Sequence, residues 1–456
     1  MIGASPSRVL YRALMCAAAA ALLLGTAHAG DPVGCDKVIY PITEVQHVDL
    51  TIAQENYYEI YMAISGHCHL DDPYCEARQA WDAGAGAPMT GGGRILFKAT
   101  DRYGNPANFV APGEWMPLYF GYEGSPDANH RIPRSVTILG EKKQGHMTTF
   151  ENGPAFFFIN SGPSLTDLPS VDLRGLYFLE PTGFAFGTET TGEGVMLDTS
   201  VQGCVIENVQ RGTPPGTWYE AVALYLTASG TTLVTDNRVI RSDTDPTLPD
   251  IGIWLSPNSG PIYGYVAHND VQNAALRDSP LHSASFCIAA GPWEPGYTSE
   301  NIISVNDNDF GEGVVVWTPN GAISLTNNRI KGVWEGAWLT TQPDTDLVFA
   351  RNRIDLEPGS HAAMRVGIAS FALGFHGALI TANRVTGGAN YGVYAEAGAH
   401  DGMFLANNMA RLETERELYY FDETTHDNTV IGYTDNCNVT DLGLDNCIAG
   451  CGCERD

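Results

Sequence analysis

The chain has 456 residues, with 53 acidic and 25 basic side chains and a formal net charge of -28 at pH 7. This excess of acid argues against nucleic acid or an anionic membrane as a partner. It is compatible with bound cations and also with plain solubility in a salty exterior.

The first 29 residues have the pattern of a secretory signal peptide. Arg8 and Arg12 precede an apolar core at 17–24, and Ala27, His28 and Ala29 form a small-x-small cleavage site. The apolar core is too short to span a bilayer, and no later stretch approaches the roughly 20 residues required. We therefore expect cleavage near Ala29, a secreted or periplasmic protein, and no membrane span.

Residues 30–90 lack the pattern of the stretch that follows, and we interpret them as an N-terminal cap region with a short helix at 76–83. An open solenoid end would otherwise expose its core and its strand edges. Residues 436–456 form a Cys-rich C-terminal tail that we expect to close the other end.

Nine cysteines remain after Cys16 leaves with the signal, and an exported protein can form disulfides. Cys68 and Cys75 can close a local loop, whereas Cys204 and Cys287 lie in apolar strand-like settings and are predicted to be buried thiols. Disulfides are also predicted for the tail, with a metal site as the alternative. The tail cysteines are Cys437, Cys447, Cys451 and Cys453.

Between these ends, residues 91–435 repeat a unit of short apolar runs separated by turn residues. In the stretch 314–339 three such runs are each too short for a helix, and Gly336 begins a new unit in the register of Gly313. A period of roughly 20 to 50 residues indicates a solenoid. An asparagine marks most units: Asn208, Asn237, Asn269, Asn308, Asn328, Asn352, Asn383 and Asn408.

The recurring asparagine has a structural explanation. Its side chain tolerates left-handed backbone and bonds neighbouring backbone groups. In stacked coils each amide can also bond the amide above it, roughly 4.8 Å away. The asparagines therefore predict a ladder inside the solenoid rather than a catalytic site.

With this repeat the sequence resembles the right-handed parallel β-helix superfamily, the pectate-lyase-like proteins, from about residue 91 to 430. The resemblance implies an all-β, right-handed parallel β-helix solenoid with capped ends. In such a fold equivalent positions of successive coils lie one strand spacing apart, so that outward side chains form files.

One outward file is aromatic. Counting from the glycines that begin one strand gives Trp254, Val315, Trp338 and Tyr394, with Trp317 two residues further along its strand. Aromatic rings on an exposed sheet suit stacking against sugar rings. The alternative is that loops cover these side chains.

Beside this file, Glu312 and Glu335 immediately precede the strand glycine in neighbouring coils. Glycoside hydrolysis needs two carboxyl groups, one acting as acid and the other as nucleophile or base. Glu312 and Glu335 are the candidate catalytic pair, and chance proximity on an acidic surface is the alternative.

The residue after the marker asparagine forms a third file. Asp270 and Asp309, with Asp307 nearby, would be stacked like charges, and their oxygen atoms predict a Ca²⁺ site. Three further members are arginines suited to uronate carboxylates or sulfates. They are Arg329, Arg353 and Arg384.

Two functions remain open for this file and for the chain. The pectate-lyase resemblance implies that cations acidify the proton beside a uronate carboxylate and that an arginine or lysine acts as base. The alternative is that the arginines pair with acids such as Asp355.

For the whole chain we predict an extracellular polysaccharide-binding protein, with cleavage as a hydrolase or lyase undecided. A non-catalytic surface or adhesion protein that uses the β-helix as a rigid display scaffold is the rival, and the oligomeric state is left open.

Overall fold

The computed structural model describes most of the predicted solenoid, and every regular element in it is a β-strand. Within this part of the chain no helix is long and apolar enough to cross a membrane. The signal peptide, the helix expected at 76–83 and most of the cap region lie outside the described residues. The described residues are 37–39, 93–97, 99–100, 105–110, 118–121, 135–152, 156–160, 170–190, 195–210, 221–241, 251–257, 260–273, 284–289, 300–317, 320–343, 345–367, 375–432 and 438–449.

The chain divides into two compact units. The N-terminal unit comprises Ala29–Thr244 and Asp250–Gly260. Its strands are β1 (Lys37–Ile39), β2 (Gly93–Phe97), β3 (Asn108–Val110), β4 (Leu118–Gly121), β5 (Ser135–Gly140), β6 (Lys142–Lys143), β7 (His146–Met147), β8 (Thr149–Glu151), β9 (Phe156–Asn160), β10 (Ser170–Arg174), β11 (Tyr177–Leu179), β12 (Phe186–Thr190), β13 (Asp198–Gln202), β14 (Val205–Glu207), β15 (Val222–Thr227), β16 (Gly230–Thr235), β17 (Arg238–Arg241) and β18 (Ile251–Leu255).

The C-terminal unit comprises the described residues of Pro261–Asp456. Its strands are β19 (Ile262–Ala267), β20 (Asp270–Asn273), β21 (Ala284–Ala289), β22 (Asn301–Asn306), β23 (Asp309–Phe310), β24 (Val314–Trp317), β25 (Gly321–Thr326), β26 (Arg329–Gly332), β27 (Glu335–Leu339), β28 (Thr345–Ala350), β29 (Arg353–Val366), β30 (Leu379–Thr381), β31 (Arg384–Ala395), β32 (Met403–Leu405), β33 (Asn408–Thr414), β34 (Tyr419–Phe421), β35 (Thr429–Ile431), β36 (Val439–Asp441) and β37 (Cys447–Ala449).

Within the N-terminal unit the strands pair in parallel with the equivalent strands of the next coil. One file of strands runs β1-β2-β5-β10-β13-β16, a second β3-β8-β11-β14-β17 and a third β4-β9-β12-β15-β18. The short β6 and β7 instead form an antiparallel hairpin. Three parallel strands per coil are the arrangement that the sequence repeat predicts.

The C-terminal unit has the same three-strand coil. Its files run β19-β22-β25-β28-β30-β32-β35-β37, then β20-β23-β26-β29-β31-β33, and β21-β24-β27-β29-β31-β34-β36. The long β29 and β31 take part in two files, and their register shifts between Leu356 and Ser360. The parallel β-helix predicted from the sequence is therefore confirmed.

Inward side chains build the core as stacks of like residues. Val305, Leu325, Phe349, Ile380 and Phe404 are register partners in five successive coils, and all are at most 1% exposed. Because one strand spacing separates the coils, each apolar side chain packs directly on the next. The outward residues alternate with these inward residues along each strand, so they too form regular files.

The Asn ladder of the C-terminal unit consists of six buried residues. In each of the five coils after the first, the side-chain Oδ1 accepts a bond from the backbone N–H and another from the Nδ2 of the preceding asparagine, at 2.9–3.1 Å. The predicted ladder is thus present, and each rung satisfies backbone groups that lie away from water. Its members are Asn269, Asn308, Asn328, Asn352, Asn383 and Asn407.

Two of the predicted marker asparagines are not the ladder residues of their coils. Asn407, not Asn408, bonds Asn383, and Asn408 is exposed. In the N-terminal unit Asn237 accepts a bond from the backbone of Cys204, so Cys204 occupies the rung that Asn208 was expected to fill. A displacement of one residue turns a strand side chain to the opposite face, which explains the exposure of Asn408.

The residue before each rung of the Asn ladder has left-handed backbone. Its φ lies between 49° and 59° in all six coils, although none of these residues is glycine. Such a conformation costs roughly 1 kcal/mol for residues such as alanine and arginine. The ladder bonds offset this cost and fix the bend that separates two strands. The residues are His268, Asp307, Asn327, Arg351, Ala382 and Ala406.

Cys204 and Cys287 are buried free thiols, as predicted. Burial raises the pKa of each to about 12, so neither is thiolate at neutral pH. The predicted Cys68–Cys75 loop lies outside the described residues, as do Cys437, Cys451 and Cys453 of the tail. Strands β36 and β37 continue the parallel pairing into the stretch assigned to the tail.

Candidate functional site

The outward file of the C-terminal unit carries an arginine among its aromatic residues. Val315, Trp338, Arg365, Tyr394 and Tyr420 are register partners on β24, β27, β29, β31 and β34. The register predicted between Gly313 and Gly336 is therefore correct. Trp338 and Tyr394 lie in one file as predicted, and Arg365 and Tyr420 are additions that the sequence did not indicate.

Further rings surround this file. The indoles of Trp317 and Trp338 meet edge to face with centroids 5.5 Å apart, and Tyr394 stacks on Tyr420 at 5.2 Å. Trp334 is 45% exposed and stacks on the His361 imidazole at 5.8 Å. We call these residues, with Tyr391 and Arg365, the aromatic face. Rings with an accessible side next to polar groups are suited to binding sugars.

The structure places Trp254 in the N-terminal unit. There it is the register partner of Tyr225, with ring centroids 6.2 Å apart. Tyr225 also packs on Phe157 and Phe184. Trp254 thus belongs to an aromatic cluster of its own unit, whereas the other three predicted aromatic residues lie together on the aromatic face.

Two buried carboxylates flank Arg365. Its Nε and Nη2 donate to Oε1 of Glu396 at 2.7 and 2.5 Å, and its Nη1 donates to Oε1 of Glu335 at 3.3 Å. The guanidinium also lies over the Trp338 ring, with 4.4 Å between its central carbon and the ring centroid. The side chains of Glu335 and Glu396 are each 8% exposed. A charge cluster therefore lies at the centre of the aromatic face.

The electrostatics of the cluster favour the charged form of the arginine. Burial alone would lower the pKa of Arg365, but the carboxylates of Glu335 and Glu396 together raise it. Arg365 therefore carries a full positive charge that both acids share. Removal of this charge would leave two buried carboxylates without a cation.

His361 joins the cluster from the other side. Its Nδ1 lies 3.1 Å from Oε1 of Glu335, and its ring meets Tyr391 and Tyr394 edge to face at 5.6 and 5.0 Å. With Nδ1 occupied by a carboxylate, Nε2 is the ring nitrogen left for another partner. The cluster thus contains a ring nitrogen able to bind a hydroxyl beside the rings.

Of the predicted catalytic pair, Glu335 belongs to the cluster and Glu312 lies in the preceding coil. The backbone N–H of Glu312 donates to Ser285 Oγ at 2.9 Å. A Cβ on its neighbour Gly313 would approach the Glu335 carbonyl oxygen to 2.3 Å, so these two strand starts are in close contact. Glu396, however, is the acid that shares a cation with Glu335.

The third predicted file is also in register. Asp270 pairs with Asp309, Asp309 with Arg329, Arg329 with Arg353, and Arg353 with Arg384. Asp307 occupies the left-handed position before Asn308 and is exposed. Among the residues that the structure describes, no group of three or more His, Cys, Asp or Glu side chains is placed to hold a metal ion. Calcium binding by these aspartates stays a prediction.

Arginines of this file have acidic partners. Arg329 lies 3.6 Å from both Asp309 and Asp355, and Arg353 lies 3.0 Å from Asp355. Burial alone would raise the pKa of Asp355, but a hydrogen bond from Thr386 and the two arginines lower it. Ion pairing with Asp355, the alternative weighed above, is thus present for Arg329 and Arg353.

Three histidines form a second titratable file in the same unit. His376, His400 and His426 are bridged in parallel, with ring centroids 4.0 and 4.6 Å apart. Nδ1 of His400 and of His426 each lie 3.0 Å from a carboxylate, on Asp401 and Asp427 respectively. Burial, followed by the charge of His400, lowers the pKa of His376.

This lowered pKa predicts a loss of stability in mild acid. Unfolded His376 binds a proton near pH 6.5, whereas folded His376 does so only at lower pH. The contribution of neutral His376 to stability is therefore fully present above pH 6.5. It is lost as the pH falls from the pKa of the unfolded state to the lower pKa of the folded state. His376→Gln should reduce the fall in Tm between pH 7.5 and 5, because the variant lacks the imidazole that binds a proton more readily in the unfolded chain. Calorimetry would measure Tm at both pH values, with His268→Asn, at an exposed histidine, as the control. Equal pH profiles of Tm for the wild type and His376→Gln would refute the assignment of this loss of stability to His376.

Arg365 escaped prediction because its coil lacks the glycine used to find the strand. The register places Ala363 between Gly336 and Gly392. At Gly336 a Cβ would meet Ile354 Cγ2 at 2.5 Å and the Ala363 carbonyl oxygen at 2.7 Å, so that position needs glycine. Ala363 is buried and accommodates its methyl group. The remaining signal in this coil was the position of Arg365. It lies two residues after Ala363, as Trp338 and Tyr394 lie two residues after Gly336 and Gly392.

Comparisons with known proteins add no family to these observations. No protein-family model matches the sequence, and the curated proteins contain no match to it. The fold and the geometry of the aromatic face are therefore the basis for assigning a function.

Proposed function

We propose that this protein binds an extracellular polysaccharide on the aromatic face. The observation that carries the proposal is the contiguous file Trp338–Arg365–Tyr394–Tyr420, with Trp317, Trp334 and Tyr391 beside it. The predicted export signal agrees with a ligand outside the cytoplasm.

The face offers both interactions that a sugar ring needs. Trp334 and Tyr420 present ring surfaces that can stack on the apolar side of a sugar. His361 and Tyr394 are half-buried and supply polar atoms next to those rings, which can bond hydroxyl groups. Since the file repeats at one strand spacing, a chain of sugars is a better match than a single small molecule.

Cleavage is the second part of the proposal, with Glu312 and Glu335 as acid and nucleophile or base, or with a cation-assisted elimination. The rigid β-helix also suits the rival function, a surface or adhesion protein without catalysis. Binding needs only the aromatic face, whereas hydrolysis needs a second carboxyl group near Glu335 at the distance that the reaction requires.

Substitution of the exposed Trp334 and the half-buried Tyr420 tests the binding function. Trp334→Ala and Tyr420→Ala should each weaken binding to the best glycan of a neutral and acidic panel at least tenfold, about 1.4 kcal/mol. Isothermal titration calorimetry would measure the affinity. Tyr263→Ala is the matched control, because Tyr263 is a 39% exposed tyrosine of β19 in the same unit.

The same protein preparation also tests cleavage. Release of reducing ends, lost in Glu335→Gln, would support hydrolysis, and unsaturated products that require Ca²⁺ would support a lyase. An unchanged affinity in Trp334→Ala and Tyr420→Ala would place any binding elsewhere. If no glycan of the panel binds, the display function replaces our proposal.

A further inference from the structure

We infer that the polysaccharide bound by the aromatic face is free of acidic groups, so that its sugars are neutral or amino sugars rather than uronates or sulfated sugars. This inference rests on the proposed function and specifies its ligand. It runs against the uronate specificity that the pectate-lyase resemblance implies, and it derives from the state of Arg365.

All three nitrogens of the Arg365 guanidinium donate a hydrogen bond to an acid of the protein. Nε and Nη2 bond Glu396, and Nη1 bonds Glu335. An arginine recognises a carboxylate or sulfate through this same fork of N–H groups. Because Oε1 of Glu396 already accepts from both N–H groups on one side of the fork, a substrate carboxylate that used this side would have to displace a buried carboxylate.

The charge of the cluster also opposes an acidic ligand. Two carboxylates and one guanidinium leave one net negative charge, and His361 adds a positive charge only when protonated. The carboxylates are mostly shielded from water, so their field is screened less than that of surface acids. A uronate above Arg365 would therefore meet like charge at short range.

The aromatic residues next to the cluster lie in an acidic setting as well. The pKa of Tyr420 is raised first by burial and then by its neighbours, which include Asp422, Glu417 and Glu423. Arg416 is an exposed cation at this end, and its Nη1 donates to the Tyr391 hydroxyl at 2.7 Å. One exposed arginine beside several acids does not reverse the sign of the local charge.

A comparison of ligand classes tests the inference in the wild-type protein. Mixed-linkage β-glucan, galactomannan and chitosan oligosaccharides represent the non-acidic class, and polygalacturonate and a sulfated galactan the acidic one. The best non-acidic ligand should bind at least tenfold more tightly than either acidic polymer at low salt. Added salt should reduce this difference, because part of it is repulsion between charges.

Glu396→Gln supplies the decisive variant. It removes one negative charge and weakens the bonds that Nε and Nη2 of Arg365 donate to this side chain, because an amide oxygen is a poorer acceptor than a carboxylate. The affinity for polygalacturonate should therefore rise about tenfold. Binding of the non-acidic ligand should change less than threefold. Asp445→Asn is the matched control, since it removes one exposed acid of the same unit outside the aromatic face, at a left-handed position that asparagine tolerates, and should leave both affinities unchanged.

The outcomes separate the inference from the function on which it rests. Tightest binding of an acidic polymer by the wild type would overturn the inference while leaving polysaccharide binding intact. An equal rise in polygalacturonate affinity in Asp445→Asn and in Glu396→Gln would assign the rise to the net charge of the protein and not to Arg365, against the inference. Failure of every glycan to bind would overturn the proposed function itself. Circular dichroism of each variant confirms that its fold is retained.

Discussion

Replacement of Arg365 by methionine is expected to lower the free energy of unfolding by about 3 to 5 kcal/mol. Arg365 is the cation for Glu335 and Glu396, whose side chains are each 8% exposed. Methionine keeps much of the side-chain volume, but it leaves two buried carboxylates without a counter-charge. Urea denaturation followed by tryptophan fluorescence would measure the change, since Trp338 lies against the guanidinium.

A triple variant separates charge from packing. Glu335→Gln and Glu396→Gln, combined with Arg365→Met, remove all three charges, and this protein should recover most of the lost stability. A loss below 1 kcal/mol in Arg365→Met alone would show that water reaches the carboxylates and that the cluster is not a buried ion network. A triple variant as unstable as the single one would assign the loss to packing.

The second large effect is expected for Asn352→Ala, in the interior of the Asn ladder. Oδ1 of Asn352 accepts from the backbone N–H and from Nδ2 of Asn328, and its Nδ2 donates to the Leu325 carbonyl oxygen at 3.0 Å and to Asn383 Oδ1. Alanine leaves several buried polar groups unsatisfied, at about 1 to 3 kcal/mol each. We expect a total loss of about 3 to 6 kcal/mol.

Asn408→Ala is the matched control for this prediction. Asn408 follows the ladder residue Asn407 but is exposed, and its Oδ1 accepts a local bond from the Ala410 N–H. Its substitution should cost less than about 1 kcal/mol. Equal costs for Asn352→Ala and Asn408→Ala, measured by urea denaturation, would contradict the account of the ladder.

The sequence predicts the fold well because the residues that mark the repeat act through contacts with their immediate neighbours. The spacing of Asn269, Asn308, Asn328, Asn352 and Asn383 identifies five consecutive rungs. Spacing alone does not distinguish Asn407 from Asn408, because two adjacent asparagines fit the same interval. Only the stacking of Asn383 on one of them decides which side chain faces inward.

The candidate site was predicted less completely, since it depends on side chains from coils that are distant in sequence. Glu335, Trp338 and Tyr394 lie within two residues of Gly336 or Gly392, and the pattern finds them. Arg365 follows Ala363 instead, and Glu396 lies beyond the positions that the pattern covers. Their partnership arises only when β29 and β31 pair, which brings Arg365 beside Tyr394.

The rungs of the Asn ladder are separated by 39, 20, 24, 31 and 24 residues along the chain, yet every rung makes the same bonds. The length of a coil is thus independent of its alignment with the next coil. Loops can lengthen between two rungs, and a whole coil can be duplicated or deleted, while the bonds of the remaining rungs persist. Such a molecule can change the length of its binding surface in steps of one coil, which gives it a simple route to longer or shorter ligands.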